Sequence, residues 1–90
     1  MVSRDLTLQN ESGFHIYPAK QFTELASRYI SSVSVTVKAT STTVDGKSIL
    51  GLMTLGLSKG AQITVTVEGP DEAVALQNLS ELIETKFGEE

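Results

Sequence analysis

"VSVTVKATSTTV", residues 33–44, decides the fold. Val33, Val35 and Val37 alternate with Ser34, Thr36 and Lys38, so one face of the segment is apolar and the other polar. That is the pattern of a half-buried strand built from β-branched residues. "ATSTT" at 39–43 reads as a loose turn, with Thr42 to Val44 as a short return strand closed by Asp45–Gly46. Such a hairpin belongs to an antiparallel sheet with one face packed and one face wet.

The same alternation recurs on both sides. Val2, Arg4, Leu6 and Leu8 share one parity and Ser3, Asp5 and Thr7 the other, predicting a strand over Val2 to Leu8. Ile63, Val65 and Val67 alternate with Gln62, Thr64 and Thr66, predicting the fourth strand. Between these segments the period changes to that of a helix. Asn10, Glu11, Ser12 and Gly13 form a turn cluster, and Pro18 suits the first turn of a helix because the N–H it lacks has no partner there. Phe22, Leu25, Ala26 and Tyr29 then fall at i, i+3, i+4 and i+7, an apolar stripe that ends near Tyr29 or Ile30. A short helix is expected over Ser48 to Met53. A last one is expected from Asp71 to Phe87, with Ala73, Leu76, Leu79 or Ser80, Ile83 and Phe87 near one face and Gly88 at its end. The order βαββαβα predicts an α+β domain spanning 1–90, a four-stranded, largely antiparallel sheet covered on one face by helices.

Composition narrows the function. Ninety residues with 40% apolar content suit one modest core. No apolar run approaches the roughly 18 residues of a membrane span, and the mixed charges of "MVSRDLTLQN" do not resemble a signal peptide. The absence of cysteine excludes disulfides and thiolate metal sites and fits a cytoplasmic protein, and the single histidine argues against a zinc site. No metal or cofactor is expected. The net charge of −4 argues against nucleic-acid binding. Seven of the eleven acids lie at Glu68 or beyond, the last two being Glu89 and Glu90, so the histidine lies in the more basic part of the chain.

That histidine, His15, precedes Tyr17 and Pro18 in "SGFHIYPA", residues 12–19. Imidazole is a competent nucleophile near neutral pH, and the N–H groups of a helix start can receive the anion that a phosphoryl group would bring. A surface loop histidine without a role has the same pattern. Ser48 lies at the start of the short helix, where a serine either caps the helix through its oxygen or carries a phosphate. Ile49, Leu50, Leu52, Met53, Leu55 and Leu57 are more apolar side chains than one helical face can bury. Some must be exposed as a partner surface, and Ile49, Leu50 and Met53 share a face by spacing.

Taken together, "SGFHIYPA", "GKSILGLMTLGLSKGAQITV" and "EGPDEAVALQNLSELI" resemble the HPr family, the histidine phosphocarriers of the bacterial sugar phosphotransferase system. The resemblance runs from Val2 to about Gly88 and implies an open-faced sandwich, four antiparallel strands with three helices on one face. It implies that His15 takes a phosphoryl group from Enzyme I and gives it to the EIIA domains of sugar permeases. Ser48 matches the serine that an ATP-dependent kinase, the HPr kinase/phosphorylase, modifies in the Gram-positive branch, where the catabolite control protein reads the result. Ile49, Leu50 and Met53, with Lys20, Glu24 and Lys47, match the docking surface of a monomeric carrier.

Two departures stand beside the histidine. Ile16 replaces the family's alanine and Tyr17 its arginine. A tyrosine hydroxyl donates a hydrogen bond but brings no positive charge, and one lost charge-assisted contact costs about 1.5–3 kcal/mol, roughly 10- to 100-fold in rate. Lys20, one turn along, is a flexible substitute for a planar guanidinium. The 38–43 turn is also about two residues longer than the family's, an insertion a hairpin loop tolerates. A second expectation follows from the missing arginine: a regulatory paralogue of the Crh type, acting through phospho-Ser48 on a transcriptional regulator.

Overall fold

The computed structural model describes residues 1–11 and 13–88. Ser12 of the turn cluster, and Glu89 and Glu90, lie outside the described residues. The elements run β1 (Val2–Thr7), α1 (Ile16–Ala26), β2 (Ser32–Val37), β3 (Thr42–Asp45), α2 (Ile49–Thr54), β4 (Gln62–Glu68) and α3 (Glu72–Glu84). A single 3₁₀ turn, Lys86–Gly88, follows.

The four strands form one antiparallel sheet in the order β1-β4-β2-β3. Register places Val33 opposite Val67, Val35 opposite Val65, and both Val37 and Leu6 opposite Ile63. Period-2 alternation therefore lines up the apolar side chains as one continuous floor, and serines and threonines occupy the other face. The three helices cover that floor: α3 packs on β1 and β4, and α1 packs on α2 and α3. Phe22, Leu52, Leu79 and Ile83 are fully buried between helices and sheet, each stabilising the fold by about 1.5–3 kcal/mol through burial. Gly46 closes the β3 end against this core. A Cβ there would lie 2.5 Å from Val33 Cγ1, so the chain crosses where only hydrogen fits.

The fold class and the sheet agree with the sequence reading, and helix ends and one helical face differ from it. α1 stops at Ala26, a turn before Tyr29. Arg28 N–H donates to the Leu25 carbonyl and Tyr29 N–H to that of Ala26, tightening the turn. The Asp71 carboxylate then accepts the N–H groups of Ile30 and Ser31 at 3.0 Å and takes the chain out of the helix. α3 stops at Glu84 rather than Phe87. The Thr85 hydroxyl donates to the carbonyls of Glu81 and Leu82, and Lys86 and Phe87 turn left-handed at φ 59° and 55°. That reversal drops the Phe87 ring back into the core. On α3 it is Ala75 that is buried with Leu76, Leu79, Ser80 and Ile83, and Ala73 is exposed. The 3.6-residue period carries the buried stripe past position 73 once the helix begins at Glu72.

Candidate functional site

The histidine's position is built from the residues before it. Gly13 sits at φ 59°, and a Cβ on it would lie 2.4 Å from the Leu57 carbonyl oxygen, so the approach of these two backbones requires glycine. Gly13 N–H donates to the Asn10 carbonyl at 3.2 Å, and Asn10 Nδ2 donates back to the Gly13 carbonyl at 2.9 Å. Phe14 N–H then donates to Leu57 O at 3.3 Å. The Phe14 ring is buried edge-on against Phe22 at 5.6 Å and against Phe87 at 5.8 Å. With Phe14 pinned inward, the next residue faces out.

His15 is exposed and is the N-cap of α1, with φ −79° and ψ −172°. Its carbonyl accepts the Ala19 N–H at 2.9 Å, but its imidazole makes no capping bond. The ring is therefore not committed to the helix it precedes. The first backbone N–H groups of a helix have no intrahelical partner. Here they belong to Ile16 and Tyr17, because Pro18 has none and Ala19 is bonded to His15. An anion on the imidazole would lie at the positive end of an 11-residue helix. Pro18 itself is buried and fixes the backbone of the first turn.

Exposed apolar side chains stand on the first turn of α1 and on α2. Ile16 is 58% exposed and Tyr17 74%, while Leu50 at 72% and Met53 at 40% stand on α2, which packs beside α1. Ile49 is half-buried against the core, and Leu52 and Leu57 are buried, so the excess of apolar side chains divides between core and surface. Ser48 caps α2: its Oγ accepts the Gly51 N–H at 3.1 Å. The capping reading thus holds, and a phosphate there would occupy the same helix end. Lys20 and Glu24 are exposed along α1, and Glu24 lines a groove of 270 Å³ with Gln21, Leu25, Arg28 and Leu82. Lys47 folds away from this face, donating from Nζ to the Tyr29 carbonyl at 2.8 Å beyond the end of α1. The structure thus places His15, Ile16 and Tyr17 on one helix start and Leu50 and Met53 on the neighbouring helix α2, and ties Lys47 into the scaffold.

The sequence reading did not single out the brace behind the histidine: Asn10, Gly13, Phe14, Leu57 and Phe87. Gly13 in a turn before a helix was its one local signal; the partners at 57 and 87 are distant in sequence. Among the described residues no three histidine or acidic side chains gather as a metal site, and no helix is long and apolar enough to cross a membrane.

Known proteins match this architecture along the whole chain. The family described as "PTS HPr component phosphorylation site" matches residues 2–85. Phosphocarrier protein HPr of Cupriavidus necator is 37% identical over 89 residues, covering 99% of this chain and 98% of its own. The crystal structure of HPr-C-His from Thermoanaerobacter tengcongensis superposes with a TM-score of 0.95 at 39% identity, covering 100% of this chain and 99% of that one. The crystal structure of Crh, the Bacillus subtilis catabolite repression protein with a swapped domain, matches less closely, with a TM-score of 0.74 at 31% identity over 96% of this chain and 97% of that one.

Proposed function

The chain belongs to the PTS HPr family, and on that premise we propose that it works as one HPr-like domain whose His15 carries a phosphoryl group from Enzyme I to EIIA domains of sugar permeases. The observation that carries the reading is the exposed imidazole, free of any capping bond, at the N-terminus of α1. A ring nitrogen attacks phosphorus. A P–N bond forms as the bond to the donor's leaving atom breaks, and that electron pair stays with the donor. The Ile16 and Tyr17 N–H groups meet the added negative charge. Transfer onward reverses the step, with the P–N bond breaking as the EIIA acceptor attacks. Leu50, Met53 and Ile49 supply the contact with both partners, flanked by Lys20 and Glu24. The carrier acts as a monomer in the cytoplasm, where both partners reach it. Incubation with Enzyme I and phosphoenolpyruvate yields an acid-labile, base-stable adduct that His15→Ala abolishes. The absence of any adduct where an ordinary HPr is labelled would overturn the reading.

Regulation through Ser48 is the second part of the proposal, favoured by its place as the cap of α2 beside Leu50. A phosphate adds about 1.5–2 negative charges to that face, and the HPr kinase/phosphorylase and the catabolite control protein are the matching writer and reader. Ser48→Asp then slows labelling of His15, and Ser48→Ala removes kinase labelling. A kinase that leaves wild type unmodified contradicts this part. A mainly regulatory, Crh-like role draws on Tyr17 in place of arginine beside an intact Ser48 motif, and the uncommitted His15 weighs against it.

A further inference from the structure

Whatever donates to or accepts from His15 must cover residues 16 and 17, because they are the next two in the chain and both side chains stand exposed at the same helix start. We propose that Ile16 and Tyr17 are specificity residues, and that the cognate Enzyme I receives them in an apolar recess with a hydrogen-bond acceptor for the tyrosine hydroxyl and no carboxylate opposite it. This deepens the phosphocarrier reading and rests on it.

The argument is one of complementarity. Ile16 and Tyr17 are exposed at the start of α1, Leu50 and Met53 are exposed on α2, which packs beside α1, and the charge nearest to Tyr17 in sequence is Lys20, three residues on. An arginine at position 17 has the phosphoryl group as counter-ion only while phosphate is at the site, so a partner that also covers the unphosphorylated carrier requires an acid opposite it, since a guanidinium buried without one is left unpaired. A partner built with that acid would bury it against Tyr17, leaving a carboxylate with no cation. A partner built for this chain has no such acid, and it buries the tyrosine ring while satisfying its hydroxyl. The two kinds of partner are mutually exclusive at this one position, so the face discriminates by penalising the wrong pairing as well as favouring the right one.

The test is a matrix of two enzymes and three carriers. The enzymes are Enzyme I from this protein's own organism and Enzyme I from an organism whose HPr carries arginine at the matching position. The carriers are wild type, the double variant Ile16→Ala/Tyr17→Arg, and Tyr17→Phe. All three are checked for equal melting, and KM and kcat for His15 labelling are measured. The cognate enzyme is expected to show a KM at least tenfold higher for the double variant and about three- to tenfold higher for Tyr17→Phe, which leaves the partner's acceptor unpaired. The other enzyme is expected to show the reverse order between wild type and double variant. If both enzymes rank the carriers alike, the inference is overturned while the phosphocarrier reading stands. If neither enzyme labels any carrier on His15, both fall together.

Discussion

At the scale of single residues, His15 owes its exposure to its neighbours. Gly13 lets the chain pass the Leu57 carbonyl, and Phe14 takes the inward position. Gly13→Ala puts a side chain at a left-handed φ and into a backbone carbonyl. It should destabilise the protein by more than about 1 kcal/mol and lower His15 labelling, because the imidazole is no longer presented at the helix start. Urea unfolding and the labelling rate check both; a variant as stable as wild type would contradict the brace. Ser80 makes the opposite case. Its hydroxyl is buried in α3 with no hydrogen-bond partner among the described residues. Ser80→Ala removes an unsatisfied group and should raise stability by about 1 kcal/mol, read as a higher urea midpoint at unchanged slope. The motif "SGFHIYPA" made the histidine, the proline and the two departures legible, since those are local. It could not disclose that Leu57 is the surface against which they are set.

At the scale of elements, the ends of helices are held by contacts the sequence does not order. Asp71 accepts the Ser31 hydroxyl and the N–H groups of Ile30 and Ser31, and its own N–H donates to Ser31 Oγ, so the end of α1 and the start of α3 cap each other. A Cβ on Gly69 would lie 2.5 Å from Ser31 Oγ, which keeps that corner a glycine. The Ser31 hydroxyl holds the Asp71 carboxyl below its ordinary 3.8, opposed next by desolvation and aided by the backbone N–H groups. Glu72, which accepts the Gly69 N–H and the N-terminal ammonium, is lowered as well. A carboxyl lowered by folding stabilises fully above its unfolded value and loses that contribution as pH falls through the folded one. Stability should therefore hold from neutrality down to about pH 4 and drop below it. Asp71→Asn should melt lower than wild type at pH 7 and converge with it near pH 2. Parallel melting curves at every pH would show that the clamp contributes nothing. Apolar stripes revealed where α1 and α3 lie, because a periodic face must be buried. Their last turns were illegible, because the residues that stop them, Asp71 and Thr85, act on carbonyls and N–H groups the pattern does not mark.

At the scale of the whole molecule, sheet and core follow from alternation, since valines at every second position of β2 and β4 can meet only on one face. Whereas the order β1-β4-β2-β3 emerged only from the structure, the shared floor was readable for that reason. The closing contact was not: Phe87 reaches Phe14 only through two left-handed residues that follow α3. Phe87→Ala should cost about 3–5 kcal/mol and loosen the support of Phe14, with a faster-exchanging Phe14 amide as the structural readout. An unchanged melting temperature would place the ring outside the core. The site thus depends on both ends of the chain packing under one loop.

The most direct measurement is peptide mapping of the protein after incubation with Enzyme I and phosphoenolpyruvate, followed by addition of an EIIA. The account predicts one phosphoryl group on the peptide containing His15, which disappears as the EIIA becomes labelled. A label that forms on Ser48 instead, or one on His15 that no EIIA can remove, would contradict it.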